Sequence, residues 1–162
     1  MYLKFIIPIL IFIPLTIFQL TVIPLVSIDF IAPDLILILV VFFTLRNGQI
    51  FGALSGFLFG LLFDLASGGL IGASMFSKTL AGFIAGYFYS EKKIETNIDS
   101  TMFIIIVFIC AFIDSILYSM LASAEGNITI LNLFFEHGIL PAFYTAAVSM
   151  PIIIFKPSSK II

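Results

Sequence analysis

The chain has 162 residues, of which 62% are hydrophobic and only 10% are charged, seven basic against nine acidic. Soluble domains carry about 45–50% apolar and about 25% charged residues, so this composition, with a mean hydropathy of +1.28, excludes a water-facing globular surface. It also excludes disorder, phosphate-driven nucleic-acid binding and, with Cys110 as the single cysteine, an internally stapled disulfide scaffold. The composition describes an integral membrane protein.

A membrane-spanning helix needs about 20 mostly apolar residues. Apolar runs between charged or turn-forming breaks predict six of them, over about 3–23, 28–45, 49–66, 70–90, 101–122 and 133–155. The first follows Lys4 and is read as a retained helix, because no small-x-small cleavage site follows it and Pro14 and Pro24 occur instead. The second is interrupted by Pro33-Asp34, which reads as a helix start with Asp34 as a good N-cap. The third ends in the tight turn Ser67-Gly68-Gly69. A polar loop, "EKKIETNIDS" over 91–100, separates the fourth and fifth, and "KPSSKII" follows the sixth. The expected fold is all-α, a single six-helix transmembrane domain over 1–162.

Basic residues in short loops stay on the cytoplasmic side. With six spans and a cytoplasmic N-terminus, Lys4, Arg46, Lys92, Lys93, Lys156 and Lys160 all fall inside, and the external loops carry only Asp29, Asp34 and Glu125. Shifting the span count by one destroys this separation. Both termini are therefore expected in the cytoplasm, with the chain in the lipid bilayer as a multi-pass protein.

The most patterned segment runs from 43 to 88. Gly48, Gly52, Gly56 and Gly60 recur every four residues, Asp64 takes the next place, and Gly82 and Gly86 repeat the spacing in the fourth span. Lipid tails give helices no hydrophobic reason to associate, so contact depends on close packing, which small-xxx-small faces permit. Two uses stay open for this stripe: tight packing inside the fold, or a face for a partner helix.

Asp64, Lys78 and Asp114 fall inside spans. A charge at the bilayer centre costs about 2.5–3.5 kcal/mol on insertion scales, so such residues face protein and pair. Lys78 and Asp114 each lie eight residues from the outer end of their spans, roughly 12 Å deep at about 1.5 Å per residue. Asp64 is two residues from the outer end of its span, roughly 3 Å in. A Lys78–Asp114 pair with Asp64 near its outer mouth is expected. Such a cluster serves as a structural clamp, an ion path or a partner contact. Glu136 and His137 fall near the outer end of the sixth span, at the interface. No nucleophilic triad, zinc site, P-loop or dinucleotide fingerprint is visible, so no catalytic residue, metal or cofactor is expected.

"APDLILILVVFFTLRNG", followed by "GFLFGLLFDLASGGLIGASMFSKTLAGFIAGYF", resembles the rod shape-determining protein MreD family. That family has a Pro-Asp-Leu opening a helix, a Gly-rich span ending in Leu-x-Asp-Leu, and a small-residue turn leading to a second Gly-rich span. The matching positions are Pro33, Asp34, Leu35, Gly56, Gly60, Leu61, Asp64, Leu65, Gly72, Lys78, Gly82 and Gly86. These motifs cover 32–88; the last two spans match in hydropathy alone. The resemblance implies a non-enzymatic component of the bacterial inner membrane in the cell-elongation machinery. It implies binding to the single transmembrane helix of MreC, with MreB filaments and a glycosyltransferase–transpeptidase pair, in support of lateral peptidoglycan synthesis. The Gly-rich spans would then position the fold for that helix; a homo-oligomer is left open. The family is also similar in fold to the substrate-binding subunits of energy-coupling-factor vitamin transporters, which supplies an alternative. The Ala-x-x-x-Ala docking motif of those subunits has no counterpart in "KFIIPILIFIPLTIFQL".

Overall fold

A computed structural model describes residues 3–27, 31–90, 98, 101–122 and 135–154, the side chains of 3–5 and 152–154 excepted. The described residues form seven α-helices and no strand segment: α1 (Leu3–Thr21), α2 (Ile23–Val26), α3 (Leu35–Asn47), α4 (Gln49–Ser67), α5 (Ala73–Ala85), α6 (Thr101–Ala122) and α7 (Leu140–Ile154). A 3-10 turn, Gly86–Phe88, extends α5, and a π-helical turn, Phe135–Ile139, leads into α7. The all-helical class expected from the apolar runs is what the described residues adopt.

Helices α4 and α6 are long and apolar enough to cross a membrane, and only 33% of the apolar window in each is buried. A core helix of a soluble protein is mostly buried; here most of the apolar surface faces outward, as a lipid solvent requires. The helix expected over 101–122 coincides with α6, an apolar run free of Pro and Gly. The helix expected over 28–45 is shorter. It starts at Leu35, because Pro33 disfavours a helical residue before it and Asp34 caps the first turn, its side chain accepting from Leu37 N. At about 1.5 Å per residue, the 13 residues of α3 reach roughly 20 Å. Many residues used for orientation, namely Asp29, Lys92, Lys93, Glu125, Lys156, Lys160 and the side chain of Lys4, lie outside the described residues.

Helix α3 is the hub. Nine of its 13 residues are buried, and it touches α1, α4, α5, α6 and α7. On one side Leu37, Val41 and Leu45 pack with Ala81, Phe103, Val107 and Ala142. On the other, Ile36, Val40 and Phe43 pack with Phe12 of α1 and Phe51 and Phe59 of α4; the Phe12 and Phe59 rings stack at 4.5 Å. Gln19 holds α1 to the start of α3. Its Nε2 donates to Pro33 O at 2.8 Å, and its Oε1 accepts from Leu35 N at 3.1 Å. The amide thereby satisfies one of the N–H groups that a helix start leaves unpaired.

The tightest contact is between α4 and α5, and the glycine stripe forms it. A Cβ on Gly52 would come within 2.6 Å of Gly82 O; one on Gly60 would come within 2.5 Å of Ser74 O; one on Gly56 would strike the carbonyl of Lys78. Gly82 likewise faces the backbone of Gly52, and Gly86 faces Gln49. Two backbones pressed together at this distance leave no volume for a third helix, so this face belongs to the interior. Gly48 stands apart from the stripe. It joins α3 to α4 with φ +95 and ψ 176, a region essentially restricted to glycine, and so permits that sharp corner.

Candidate functional site

Three helices, α3, α5 and α6, bring charged side chains to one point. Lys78, on the inward face of α5, is 2% exposed, and Asp114, midway along α6, is 4% exposed. The Lys78 Nζ lies 3.2 Å from Asp114 Oδ2. The same ammonium pairs with Asp34 Oδ2 at the start of α3, so one lysine holds two carboxylates. Asp34 is doubly fixed: its Oδ1 accepts from Leu37 N at 2.9 Å, and its backbone N donates to Thr145 Oγ1 of α7 at 3.0 Å. The Phe63 ring lies 6.0 Å from Lys78 Nζ, within cation–π range. The result is an ion cluster that ties α3, α5, α6 and, through Thr145, α7.

Of the three spans' charges expected to gather here, the structure joins Lys78 and Asp114, substitutes Asp34 for Asp64, and assigns Asp64 elsewhere. Asp64 is 1% exposed. Its Oδ2 accepts from Gly72 N at 2.8 Å and Met75 N at 3.2 Å, and its Oδ1 accepts from Ser74 N at 3.2 Å. A carboxylate near the C-terminus of its own helix is disfavoured by that macrodipole, but Asp64 faces the N-terminus of α5, where the dipole favours it. Capping, rather than pairing with Lys78, explains its place. Replacing Asp64 with Ala leaves three N–H groups without this acceptor; a loss of about 2 kcal/mol, the upper end for a cap, is expected by thermal unfolding in detergent. Asn, which keeps one acceptor oxygen, should lose about half as much.

Asp34 is the member of the ion cluster that counting charges by loop assigns to the outside. The signal that locates it is position: Pro33-Asp34 lies within the apolar run 28–45, and a capping carboxylate has a second oxygen free to pair. Pro33 is buried beside it.

A cavity of about 670 Å³ opens above the triad, with Lys78 and Asp114 in its wall and Gln19, Ser119, Glu136 and His137 among its other lining residues. Glu136 and His137 are exposed, on the π-helical turn before α7. Among the described residues no group of three His, Cys, Asp or Glu could hold a metal ion. The chemistry this arrangement supplies is electrostatic and hydrogen-bonding.

The family model for rod shape-determining protein MreD matches residues 1–157. No curated protein and no solved structure matches the chain. The matched range takes in the Pro33-Asp34 helix start, the glycine seam and all members of the ion cluster. The chain therefore belongs to the MreD family of rod shape-determining proteins.

Proposed function

We propose that this chain is a non-enzymatic scaffold of the bacterial cell-elongation machinery, a single six-span domain of the inner membrane with both termini in the cytoplasm. It holds the transmembrane helix of MreC and, with MreB filaments and a glycosyltransferase–transpeptidase pair, supports lateral wall synthesis. The observation that carries the reading is the family match across 1–157. The inside-out distribution of polarity supports it: Asp64, Lys78 and Asp114 are buried, whereas Leu10, Ile17, Leu54 and Phe57 face outward. A protein built in this way acts on others through bilayer-facing helix surfaces, because in lipid every polar group must be satisfied internally.

The glycine faces of α4 and α5 are engaged with each other, so their contribution to MreC binding is indirect: they set the shape of the bundle. The MreC helix meets outward-facing side chains instead. The family match favours shape determination over vitamin transport. Depleting the protein in its rod-shaped host is expected to round the cells and abolish lateral incorporation of a fluorescent D-amino acid. Depleted cells that keep their width and labelling pattern would overturn the reading.

A further inference from the structure

A second concavity, remote from the ion cluster, runs along α3 between α1 and α7. Ile11 and Leu15 of α1, Val148 of α7, and Leu35, Leu39 and Phe42 of α3 line it, around a volume of about 360 Å³. Leu35, Leu39 and Phe42 are spaced four and three apart, which keeps them on one face of a helix. Arg46, four further on in the last turn of α3, is the next place in that series. At 3.6 residues per turn it returns to within about 20° of Leu35. Its guanidinium lies 5.4 Å from the centre of the Phe42 ring, within cation–π range, so the apolar stripe ends in a cation resting on the groove wall. Arg46 is exposed, and among the described residues no acidic side chain forms an ion pair with it.

Dimensions and charge select the occupant. Leu35 to Arg46 measures roughly 16 Å at about 1.5 Å per residue, close to the hydrocarbon depth of one leaflet, about half of 30 Å. A helix about 10 Å across would displace roughly 1,300 Å³ over that length, far more than the groove offers; a single acyl chain is one methylene wide. An empty cleft forfeits the dispersion contacts of its walls, and the solvent at hand to fill this one is lipid. Hydrogen bonds fasten the Leu35 end: Gln19 Oε1 of α1 accepts from Leu35 N at 3.1 Å, and Tyr144 OH of α7 donates to Val26 O of α2 at 2.9 Å. The polar end of a ligand therefore belongs at Arg46. Stacking on Phe42 occupies the face of the guanidinium and leaves its in-plane N–H donors for a phosphate.

We propose that this groove binds one anionic glycerophospholipid of the phosphatidylglycerol kind, with an acyl chain over α3 and the phosphate on Arg46. A zwitterionic headgroup brings its own ammonium to the phosphate and is the weaker ligand. The site is independent of which proteins the chain assembles with.

The chain contains no Trp, so a single introduced Trp reports only its own surroundings. Ile11→Trp places one at the groove, and Leu58→Trp places a control on the outward face of α4. Both side chains are exposed, and they lie level, because Ile11 adjoins Phe12 and Leu58 adjoins Phe59, whose rings stack. Each purified full-length variant is placed in phosphatidylethanolamine nanodiscs containing rising fractions of phosphatidylglycerol brominated on its acyl chains, and bromine quenching is read by fluorescence. Half-maximal quenching of Ile11→Trp is expected at about fivefold lower mole fraction than that of Leu58→Trp, the effect of one Lys or Arg beside an anionic lipid. Adding Arg46→Gln to Ile11→Trp should bring the two curves together. Coincident curves for the two probes, an Ile11→Trp curve unchanged by Arg46→Gln, or the same advantage with brominated phosphatidylethanolamine would overturn the proposal. Ile11→Trp shielded from every brominated lipid would show a helix, from a second copy or another protein, seated in the groove, and also overturns it. Should Ile11→Trp fail to fold, native mass spectrometry of the unaltered chain released from mixed nanodiscs decides. Phosphatidylglycerol retained over phosphatidylethanolamine and lost in folded Arg46→Gln supports the site; equal retention of the two lipids, or retention unchanged in Arg46→Gln, overturns it.

Discussion

Lys78→Met should destabilise the protein by about 3–5 kcal/mol, the cost of removing one partner from a buried ion pair. The substitution keeps the length and packing of the side chain, so the loss is electrostatic. It strands Asp114, which is 4% exposed, without its cation, and removes the partner of Asp34, whose side chain is a quarter exposed. Two features distinguish this from a general packing defect. Adding Asp114→Asn and Asp34→Asn to Lys78→Met should recover much of the loss, because neutral side chains no longer carry an uncompensated charge. Lys78→Arg should not substitute well, since a planar fork replaces a point charge whose place is fixed by three helices. Thermal unfolding in detergent measures all three. If the triple variant were no more stable than Lys78→Met, the cluster would not be holding the helices by charge.

The second large effect is expected at the glycine seam. A Cβ on Gly56 would strike the Lys78 carbonyl oxygen and come within 2.7 Å of Lys78 C and 3.0 Å of Thr79 N. These are backbone atoms of α5, so no rotamer change relieves the clash and the helices must part. Gly56→Ala should cost about 1–3 kcal/mol, as for an overpacked core, and Gly56→Leu more. The damage spreads, because moving α5 away from α4 also pulls Gly72, Ser74 and Met75 from Asp64. Leu54→Ala on the outward face of the same helix is the control and should change stability by no more than about 0.5 kcal/mol. Equal tolerance at Gly56 and Leu54 would mean that α4 and α5 are not pressed together.

These two sites show what a sequence can and cannot specify. The four-residue glycine spacing marks a face made for close approach, because only glycine lets backbones meet. It does not say whose backbone arrives, and Gly52 with Gly82 proves to be a pair within the fold. Depth along a helix places Lys78 level with Asp114, and the two are bonded at 3.2 Å. Depth alone mislocates Asp64, whose three N–H donors come from Gly72 and the first turn of α5, beyond the turn after α4. Asp34 lies 44 residues from Lys78, and its Pro-Asp context advertises only a cap. That a single carboxylate can cap with one oxygen and pair with the other is visible only once α5 is laid beside α3. Helix ends follow the same logic: α6 has no internal breaker and matches its apolar run, whereas α3 begins seven residues into its run, at the cap.

The ion cluster and the seam together make a bundle whose buried charges are paired or capped within and whose outward helix faces are apolar, a form suited to ordering other membrane proteins. The direct measurement is partner capture from native membranes. The tagged chain is extracted in polymer-bounded native nanodiscs, without detergent, and the proteins recovered with it are identified and quantified. Stoichiometric recovery of MreC is expected, retained by Leu54→Ala and lost with the fold in Gly56→Leu. Recovery without MreC, or in stoichiometric complex with an ATP-driven coupling subunit instead, would contradict the assignment as a scaffold of cell elongation.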